Sequence, residues 1–459
     1  MPEIPRNLPE PPELKKSIGP SFILLGLALG SGELILWPYL SSQYGLGLIW
    51  GGLLGITLQF FLNTEAMRYT LAWGESVFVG WRKMSRAIPY WFILSTTIPW
   101  ALPGFAASTS AISHYLVPAL PEKAFAIGLL ILTGVIISTG RTLYKTMERI
   151  QKTIIMVGLP FITLVTLALV TPEVWLELVR GLVGQGAGWR FFPPGIGIGA
   201  FLGAFAYSGA GGNLNLAQSY YIKEKGFGMG RYFAGIKSLL QGKSKEIEIQ
   251  GNSFVDTAAN RSRWARWWRL VNSEHFLVFW VLGLTTILLL AALAAGTARG
   301  ASAVDINFLF FEAATIGDKT VPLIGTIFLV VAALMLFSTQ LGVYESAARI
   351  TAENVLLAKN GVDKPVNAGK AFYIVLWAEI VGGVALLLMG FETPRALLTI
   401  AAILNAAAMM IVFPLILILN KTKLPSFARP SRARQGILLI AFCLFVYFVL
   451  ETIRTASWV

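Results

Sequence analysis

The sequence is poor in charge, cysteine and histidine. Of its 459 residues 13% are charged and 55% are hydrophobic, whereas soluble domains carry about 25% charged residues. The single cysteine, Cys443, lies inside an apolar run, so the chain has no disulfide framework. Two peripheral histidines, His114 and His275, and no clustered carboxylates leave no nucleophile with a base and no metal set. These absences exclude a soluble globule, and we expect neither an enzyme nor a bound cofactor.

Long apolar runs recur along the whole chain, and each is long enough to cross about 30 Å of hydrocarbon. We predict eleven membrane spans, at residues 18–43, 46–67, 89–117, 123–140, 153–172, 196–221, 273–297, 321–343, 371–390, 395–419 and 435–453. With the N-terminus placed inside, 30 of the 37 Lys and Arg residues fall on the inner side, and seven fall outside. Because positive charge marks the cytoplasmic side, we predict a cell (inner) membrane protein with a cytoplasmic N-terminus and an external C-terminus.

The longest inner segment, residues 222–272, holds ten basic residues. Its stretch "RSRWARWWRLVN" (261–272) alternates arginines with tryptophans, which is typical of a helix lying against anionic lipid headgroups. The basic charge therefore indicates membrane lipid, and not nucleic acid, as the partner. We expect a monomer.

Two glycine-rich stretches interrupt apolar spans: "GSGELILWPY" (30–39) in span 1 and "YSGAGGNLNLAQS" (207–219) in span 6. The two stretches lie five spans apart. Because five is an odd number, span 6 crosses the membrane in the direction opposite to span 1, as in an inverted repeat. Paired glycine-interrupted helices in two inverted halves point to the binding site of a transporter. Five plus five spans with one more is the LeuT-type arrangement. We predict an N-terminal segment at 1–17, repeats at 18–172 and 173–419, and a linker with the last helix at 420–459.

Backbone groups freed at such breaks need partners in protein, water or a ligand. A charge at mid-membrane costs about 2.5–3.5 kcal/mol even on lenient scales, and Glu33 lies within the first break. Close helix packing through small residues is the alternative explanation for the glycines. We predict that the two breaks form a substrate site, with the binding residues Gly30, Ser31, Gly32, Glu33, Gly211, Gly212, Asn213 and Asn215.

Four stretches resemble the Nramp divalent-metal transporters, in their divergent bacterial branch. They are "GPSFILLGLALGSGELI" (19–35), "QFFLNTEAMRYTLAWGES" (59–76), "LFSTQLGVYESAARITAENVL" (336–356) and "LNAAAMMIVFPLILILN" (404–420). The resemblance implies the LeuT-type fold with helices 1 and 6 broken, and transport of a divalent metal. It also implies that Gln340 and Asn405, at polar positions of the family, face the pathway.

The chain departs from the Nramp pattern where the family binds its metal. The family's first-helix Asp and Asn positions correspond to Gly30 and Glu33, and its Met-Pro-His-Asn motif corresponds to Gly-Gly-Asn at 211–213. Without the thioether, the resemblance implies oxygen ligands from Glu33 and Asn213 and a hard cation such as Mg²⁺ or Mn²⁺. "GSGELILWPY" also resembles the first break of the neurotransmitter:sodium symporters, so an amino acid or other small organic solute remains an alternative substrate.

The other ionisable residues near the spans have two interpretations each. Glu65 with Arg68 and Glu345 with Arg349 lie at helical pairing distance, and we predict gate or end-of-helix ion pairs. Glu379, deep in span 9, is either a proton carrier or a neutral, hydrogen-bonded structural acid. The whole pattern predicts a secondary transporter that works by alternating access.

Overall fold

A computed structural model describes residues 6–139, 143–233, 246–302 and 304–455. Part of the predicted 222–272 loop and both chain ends lie outside these ranges. Within them the only β-pairing is three isolated bridges. The α-helices, in chain order, are α1 (Leu14–Ser17), α2 (Pro20–Ala28), α3 (Trp37–Tyr44), α4 (Trp50–Trp73), α5 (Val77–Arg82), α6 (Ile88–Trp100), α7 (Gly104–Leu116), α8 (Glu122–Thr139), α9 (Leu143–Leu169), α10 (Pro172–Gly181), α11 (Ile198–Ala206), α12 (Gln218–Lys225), α13 (Ala258–His275), α14 (Gly283–Thr297), α15 (Asn307–Lys319), α16 (Pro322–Asn360), α17 (Ala368–Leu388), α18 (Pro394–Lys423) and α19 (Arg432–Thr455). Helical segments of other types join some of them, as π-helix at Leu29–Leu36 and Phe276–Leu282 and as 3₁₀-helix at Leu46–Leu48, Gly212–Ala217, Gly228–Tyr232 and Ser426–Ala428.

Nine helical stretches among the described residues are long and apolar enough to cross a membrane. They correspond to predicted spans 1, 2, 4, 5 and 7 to 11. Spans 3 and 6 are each divided into two shorter helices, α6 with α7 and α11 with α12, so neither forms one continuous stretch of that length. The chain is a multi-pass, all-α membrane protein.

An unpredicted break divides span 3 between Trp100 and Gly104. Pro103 has no N–H to donate, and a proline disfavours the α conformation in the residue before it. The sequence Leu102-Pro103-Gly104 therefore stops one helix and starts another. The Pro-Gly pair is a turn signal that could have predicted this break.

Span 1 lies inside the bundle. Every residue from Pro20 to Leu36 is buried. Helix α2 packs against α9 and α16, and the π-helical segment Leu29–Leu36 packs against α14 and α16. Protein, and not lipid, therefore surrounds the first glycine-rich stretch from Gly30 to Leu36.

The loops group at two ends of the bundle. On the N-terminal face, which we define by the described start of the chain, Gly251 N–H donates to Glu75 and Ser76 donates to Glu353. On the opposite face, Leu46 N–H donates to Glu177. These contacts join loops that the predicted topology assigns to the same side.

Helix α13 differs from the predicted interfacial helix in the direction of its tryptophans. Trp264 and Trp267 are buried inside the protein, and the Trp267 indole donates to the Pro9 carbonyl at 2.7 Å. Arg266 and Arg269 lie on the exposed side. The helix therefore anchors the N-terminal segment, while its arginines face outwards.

Candidate functional site

The two glycine-rich stretches meet in the middle of the bundle. A β-carbon at Gly32 would overlap the Tyr207 carbonyl oxygen. Nearby, the Trp37 indole N–H donates to Ser208 Oγ at 3.0 Å. Only glycine permits this approach of span 1 to the end of α11, so the two predicted interruptions lie face to face.

In span 1 the interruption is a change of helical winding. From Leu29 to Leu36 the helix has π-type turns, and Trp37 N–H donates to the Gly32 carbonyl five residues before it. The backbone therefore stays helical and does not unwind. Short π segments within α-helices occur frequently at functional sites.

In span 6 the helix stops and starts again. Helix α11 ends at Ala206, and the chain resumes as 3₁₀-helix at Gly212. Gly211 and Gly212 have φ angles of 76° and 52°, a region that favours glycine. A β-carbon at Gly212 would also overlap Asn405 Oδ1 of α18. Conformation and contact both require glycine here.

Gln59 of span 2 bridges the span 6 break. Its Nε2 donates to the Ala206 carbonyl at 3.1 Å. Its Oε1 accepts from Gly211 N–H at 3.2 Å and from Asn215 Nδ2 at 3.0 Å. One amide thus supplies partners to backbone groups on both sides of the gap. Gln59 was absent from the predicted site, although it opens the stretch that carries the second-helix resemblance.

Glu33 lies on the π-helical segment and faces span 7. It is completely buried, and neither carboxylate oxygen has a hydrogen-bond partner among the described residues. A β-carbon at Gly283 would lie 3.5 Å from Glu33 Oε1, and Thr286 is a near neighbour. The Thr286 hydroxyl donates to the Leu282 carbonyl at 2.9 Å. The carboxylate therefore rests in a largely apolar environment.

Asn213 turns towards span 3 and not towards Glu33. Its Nδ2 donates to Ser95 Oγ and Thr96 Oγ1, both at 2.9 Å. The structure thus places the two predicted metal ligands against different helices. Asn405 Nδ2 donates to the Tyr207 hydroxyl at 3.0 Å. The Oδ1 atoms of Asn213, Asn215 and Asn405 are buried and have no hydrogen-bond partner among the described residues.

The remaining predicted site residues divide between the centre and the periphery. Ser31 is buried beside the two glycines of span 1. A β-carbon at Gly30 would lie 2.8 Å from the Thr339 side chain of α16. Gln340 turns away, because its Nε2 donates to the Leu129 carbonyl at 3.2 Å and to Thr133 Oγ1 at 2.8 Å in span 4. The side-chain amide of Gln340 thus joins spans 4 and 8.

The first predicted ion pair belongs to a larger cluster on the N-terminal face. Arg68 contacts Glu65 at 2.7 Å, and Arg434 of α19 contacts the same carboxylate at 2.8 Å. Asn420 Nδ2 donates to Glu65 Oε2 at 2.9 Å. The Arg68 guanidinium lies 3.7 Å from the centre of the Trp268 ring, a cation–π contact. This cluster ties spans 2, 10 and 11 to α13.

The second predicted ion pair is also formed. Arg349 contacts Glu345 one turn before it, and it contacts Glu224 at the end of α12. The Tyr221 hydroxyl donates to Glu345 Oε2 at 2.9 Å. These buried side chains connect span 8 with the second half of span 6.

Glu379 of span 9 is buried, with both oxygens unpartnered among the described residues. Thr351 and Tyr344 of span 8 are its polar neighbours. Thr351 Oγ1 lies 3.3 Å from Thr97 Oγ1 of span 3. Hydroxyl groups thus lead from Glu379 towards span 3, whose Ser95 and Thr96 accept hydrogen bonds from Asn213.

Asp305 joins two loops on the opposite face. Its Oδ1 accepts from the Arg395 N–H at 2.7 Å, at the start of α18. The Arg395 guanidinium lies 4.1 Å from the centre of the Tyr39 ring, at the end of span 1. Burial raises the pKa of Asp305. These contacts hold spans 1 and 10 together on that face.

The donor atoms around the breaks are oxygens. Among the described residues, no three His, Cys, Asp or Glu side chains come together as a metal cluster. The unpartnered acceptors include the Glu33 carboxylate and the amide oxygens of Asn213, Asn215, Asn405 and Gln218, and hard cations prefer oxygen ligands of this kind. The arrangement suits weak, partly hydrated binding better than tight chelation.

Solved transporters share this architecture. One is a manganese transporter of Eremococcus coleocola, in a form with one histidine replaced by alanine, with a TM-score of 0.70 and 13% identity over 99% of this chain and 90% of that one. The same transporter bound to an aromatic bis-isothiourea compound gives 0.67, with 14% identity and the same coverage. Mhp1, a nucleobase-cation-symport-1 family transporter closed around bromovinylhydantoin, gives 0.57, with 14% identity over 97% of this chain and 95% of that one.

The chain has the LeuT-type fold. At the level of architecture, the likeness confirms the resemblance to divergent Nramp-type transporters. No protein-family model matches the sequence, and no curated protein matches it significantly. At 13–14% identity the structural likeness concerns the fold, so the substrate has to be argued from this chain's own residues.

Proposed function

We propose that the chain is a secondary transporter that moves a hard divalent cation, of the Mg²⁺ or Mn²⁺ class, by alternating access. Glu33 supplies the charge that recognises the cation, and the unpartnered oxygens of Asn213, Asn215 and Asn405 are the neutral donors around span 6, although Asn213 and Glu33 lie against different helices in this structure. The fold supports the transport mechanism, and the residues at the two breaks support the choice of cargo.

The observation that carries this proposal is the state of Glu33. A carboxylate buried without a hydrogen bond is costly in its charged form, so it must be neutralised by a proton or by a cation. Glu33 follows Gly32, which touches the broken helix of span 6. A buried acid within a membrane bundle is a functional candidate in the first instance, and Glu33 lies where the two glycine-rich stretches meet.

The identity of the donors supports a hard cation. Neither the thioether nor the imidazole of the Nramp motif is present at 211–213. Soft sulfur ligands favour softer metals such as Cu⁺ and Zn²⁺, whereas carboxylate, carbonyl and water ligands suit the hard ions Mg²⁺ and Mn²⁺. A site with one carboxylate also leaves several positions for water, which Mg²⁺ retains readily.

Sidedness and repeats complete the proposal. We place the N-terminal face in the cytoplasm of a cell whose inner membrane holds the chain, and the repeats 18–172 and 173–419 move against each other. In a Cys443→Ser background, a cysteine at exposed Lys15 should label only from inside and one at exposed Lys319 only from outside. Labelling of both from one side would overturn this topology.

A small organic solute is the second candidate, and one observation favours it. Trp100 and Tyr207 stack beside the span 6 break, with ring centres 5.6 Å apart. The buried Trp100 indole N–H has no hydrogen-bond acceptor among the described residues. A planar organic molecule could use both the aromatic face and this donor.

Flux into proteoliposomes distinguishes the two substrate classes. We expect Mg²⁺ or Mn²⁺ to enter when an inside-negative potential is imposed, because the potential contributes about 2.3 kcal/mol per charge per 100 mV. Amino acids and nucleobases should neither enter nor compete. Saturable uptake of an organic solute without cation uptake would overturn the cation proposal and support the second candidate.

A further inference from the structure

Glu274 occupies the start of helix α2 from another part of the chain. It is the second-last residue of α13, at the start of span 7, and is 1% exposed. Its Oε1 accepts from the N–H groups of Gly19 and Ser21, both at 3.2 Å. Its Oε2 accepts from Ser21 Oγ at 2.5 Å. Since Pro20 has no N–H, these contacts satisfy the free donors at the beginning of span 1.

The same serine also contacts spans 6 and 7. Gln218 Nε2, at the first residue of α12, donates to Ser21 Oγ at 3.3 Å. His275 Nδ1 lies 2.7 Å from this hydroxyl. Ser21 therefore joins the halves of spans 1 and 6 that lie towards the N-terminal face, and Glu274 joins this half of span 1 to the start of span 7.

Glu274 could either bind cargo as a second cation station or hold two spans together, and the position of its carboxylate decides between these roles. The N-terminus of a helix carries a partial positive charge and free N–H groups, which attract anions and repel cations. A cation would compete with those N–H groups for Glu274, so a second cargo station is disfavoured. A carboxylate that caps a helix belonging to another span instead holds the two spans together.

We propose that Glu274 is a latch that keeps the pathway closed on the N-terminal face. This inference rests on the proposed transport by alternating access. Cargo at the crossing of spans 1 and 6 can reach that face only if α2 moves away from both α12 and the start of span 7. That movement pulls Ser21 away from Glu274 and Gln218, so the latch must release in each transport cycle.

The test measures opening directly, without cargo. In a Cys443→Ser background, Leu24→Cys places a thiol in α2 at a completely buried position. Glu274→Ala removes the cap, and we expect about a tenfold faster reaction with N-ethylmaleimide. A tenfold change corresponds to a closed state destabilised by about 1.4 kcal/mol relative to the open state. Glu274→Gln retains an acceptor for the two N–H groups, so its increase should be smaller.

A matched control uses the opposite face. Glu177 Oε1 accepts from Leu46 N–H at 2.9 Å, which is a similar carboxylate-to-backbone contact. Glu177→Ala should leave the labelling of Leu24→Cys unchanged. A second reporter, Leu130→Cys, lies completely buried in span 4, and Glu274→Ala should leave its labelling unchanged as well.

The outcomes separate the latch from a structural role and from the transport proposal. Unchanged labelling of Leu24→Cys in Glu274→Ala would overturn the latch, and so would faster labelling of both reporters, which would indicate general unfolding. If Glu274→Ala fails to fold, Ser21→Ala removes only the hydroxyl contacts and should still accelerate labelling at position 24. If Glu274→Ala accelerates labelling at position 24 alone but the parent protein with Glu274 shows no cation flux, the latch is supported and the proposed cargo is overturned.

Discussion

The glycine-rich stretches of spans 1 and 6 face each other, yet their backbones behave differently. In span 1 the helix continues through Leu29–Leu36 with wide π turns. In span 6 it stops at Ala206 and resumes at Gly212. The conformation of the glycines explains the difference: Gly211 and Gly212 have positive φ angles, whereas Gly30 and Gly32 remain helical and serve close contacts.

The two stretches also differ in how their polar groups are satisfied. At the break in span 6, Gln59 donates to the Ala206 carbonyl, and Asn213 donates to the hydroxyls of Ser95 and Thr96. Glu33 in span 1 receives no hydrogen bond among the described residues. Span 6 thus has its interruption bridged by side chains of other helices, and we propose that the charge of the acid in span 1 is left for cargo or a proton.

Gly32→Ala should have the largest effect on this arrangement. The added methyl group overlaps the Tyr207 carbonyl, a backbone atom that cannot rotate away. We expect a loss of more than about 3 kcal/mol of stability, the upper range for overpacking, and no measurable flux. Thermal unfolding in detergent and proteoliposome flux would show both effects.

The control for Gly32→Ala is Gly128→Ala in span 4, where nothing lies within 4 Å of the new methyl group. This variant should behave like the unchanged protein. Normal flux and stability in Gly32→Ala would contradict the direct contact between the two stretches.

Gln59→Leu should come second. It removes the Gln59 contacts to the Ala206 carbonyl and the Gly211 N–H, and it leaves the Asn215 amide with the Gly212 carbonyl alone. An unsatisfied buried polar group costs about 1–3 kcal/mol, so we expect a clearly lowered unfolding temperature and a flux reduced by roughly tenfold or more. A variant as stable and active as the unchanged protein would show that water satisfies the break.

Gln340→Leu should be milder in flux. Gln340 joins spans 4 and 8, and its side-chain N–H groups donate to span 4 and not to either glycine-rich stretch. We expect reduced stability but cation uptake within about threefold of normal, because the lost contacts cost stability alone. Abolished uptake by a folded Gln340→Leu protein would restore the pathway role implied by the Nramp resemblance.

Glu379→Gln should have the smallest effect. Glu379 lies beside the hydroxyl-bearing residues Thr351 and Tyr344, and a glutamine has nearly the same shape without the charge. We expect flux within about twofold of normal, as for a neutral structural acid. Loss of pH-dependent uptake in this variant would instead identify Glu379 as a proton carrier.

Much of this molecule follows from its sequence, and the rest depends on tertiary contacts. Apolar runs and the glycine pairs predicted the LeuT-type fold, and helical spacing predicted that Glu65 pairs with Arg68. The directions of Asn213 and Gln340 were not predictable, because each side chain lies where a neighbouring helix offers a hydroxyl or carbonyl group. Arg434 joined Glu65 from 369 residues along the chain, which no local pattern reveals.

The role of Glu33 is the central claim, and cation flux through Glu33→Gln tests it most directly. Glutamine keeps the shape and removes the charge, and losing one partner of a buried charge pair costs about 3–5 kcal/mol. We predict a folded, monodisperse protein whose Mg²⁺ and Mn²⁺ uptake under an imposed potential falls by roughly 100-fold or more. Uptake at the normal rate in Glu33→Gln would contradict the account.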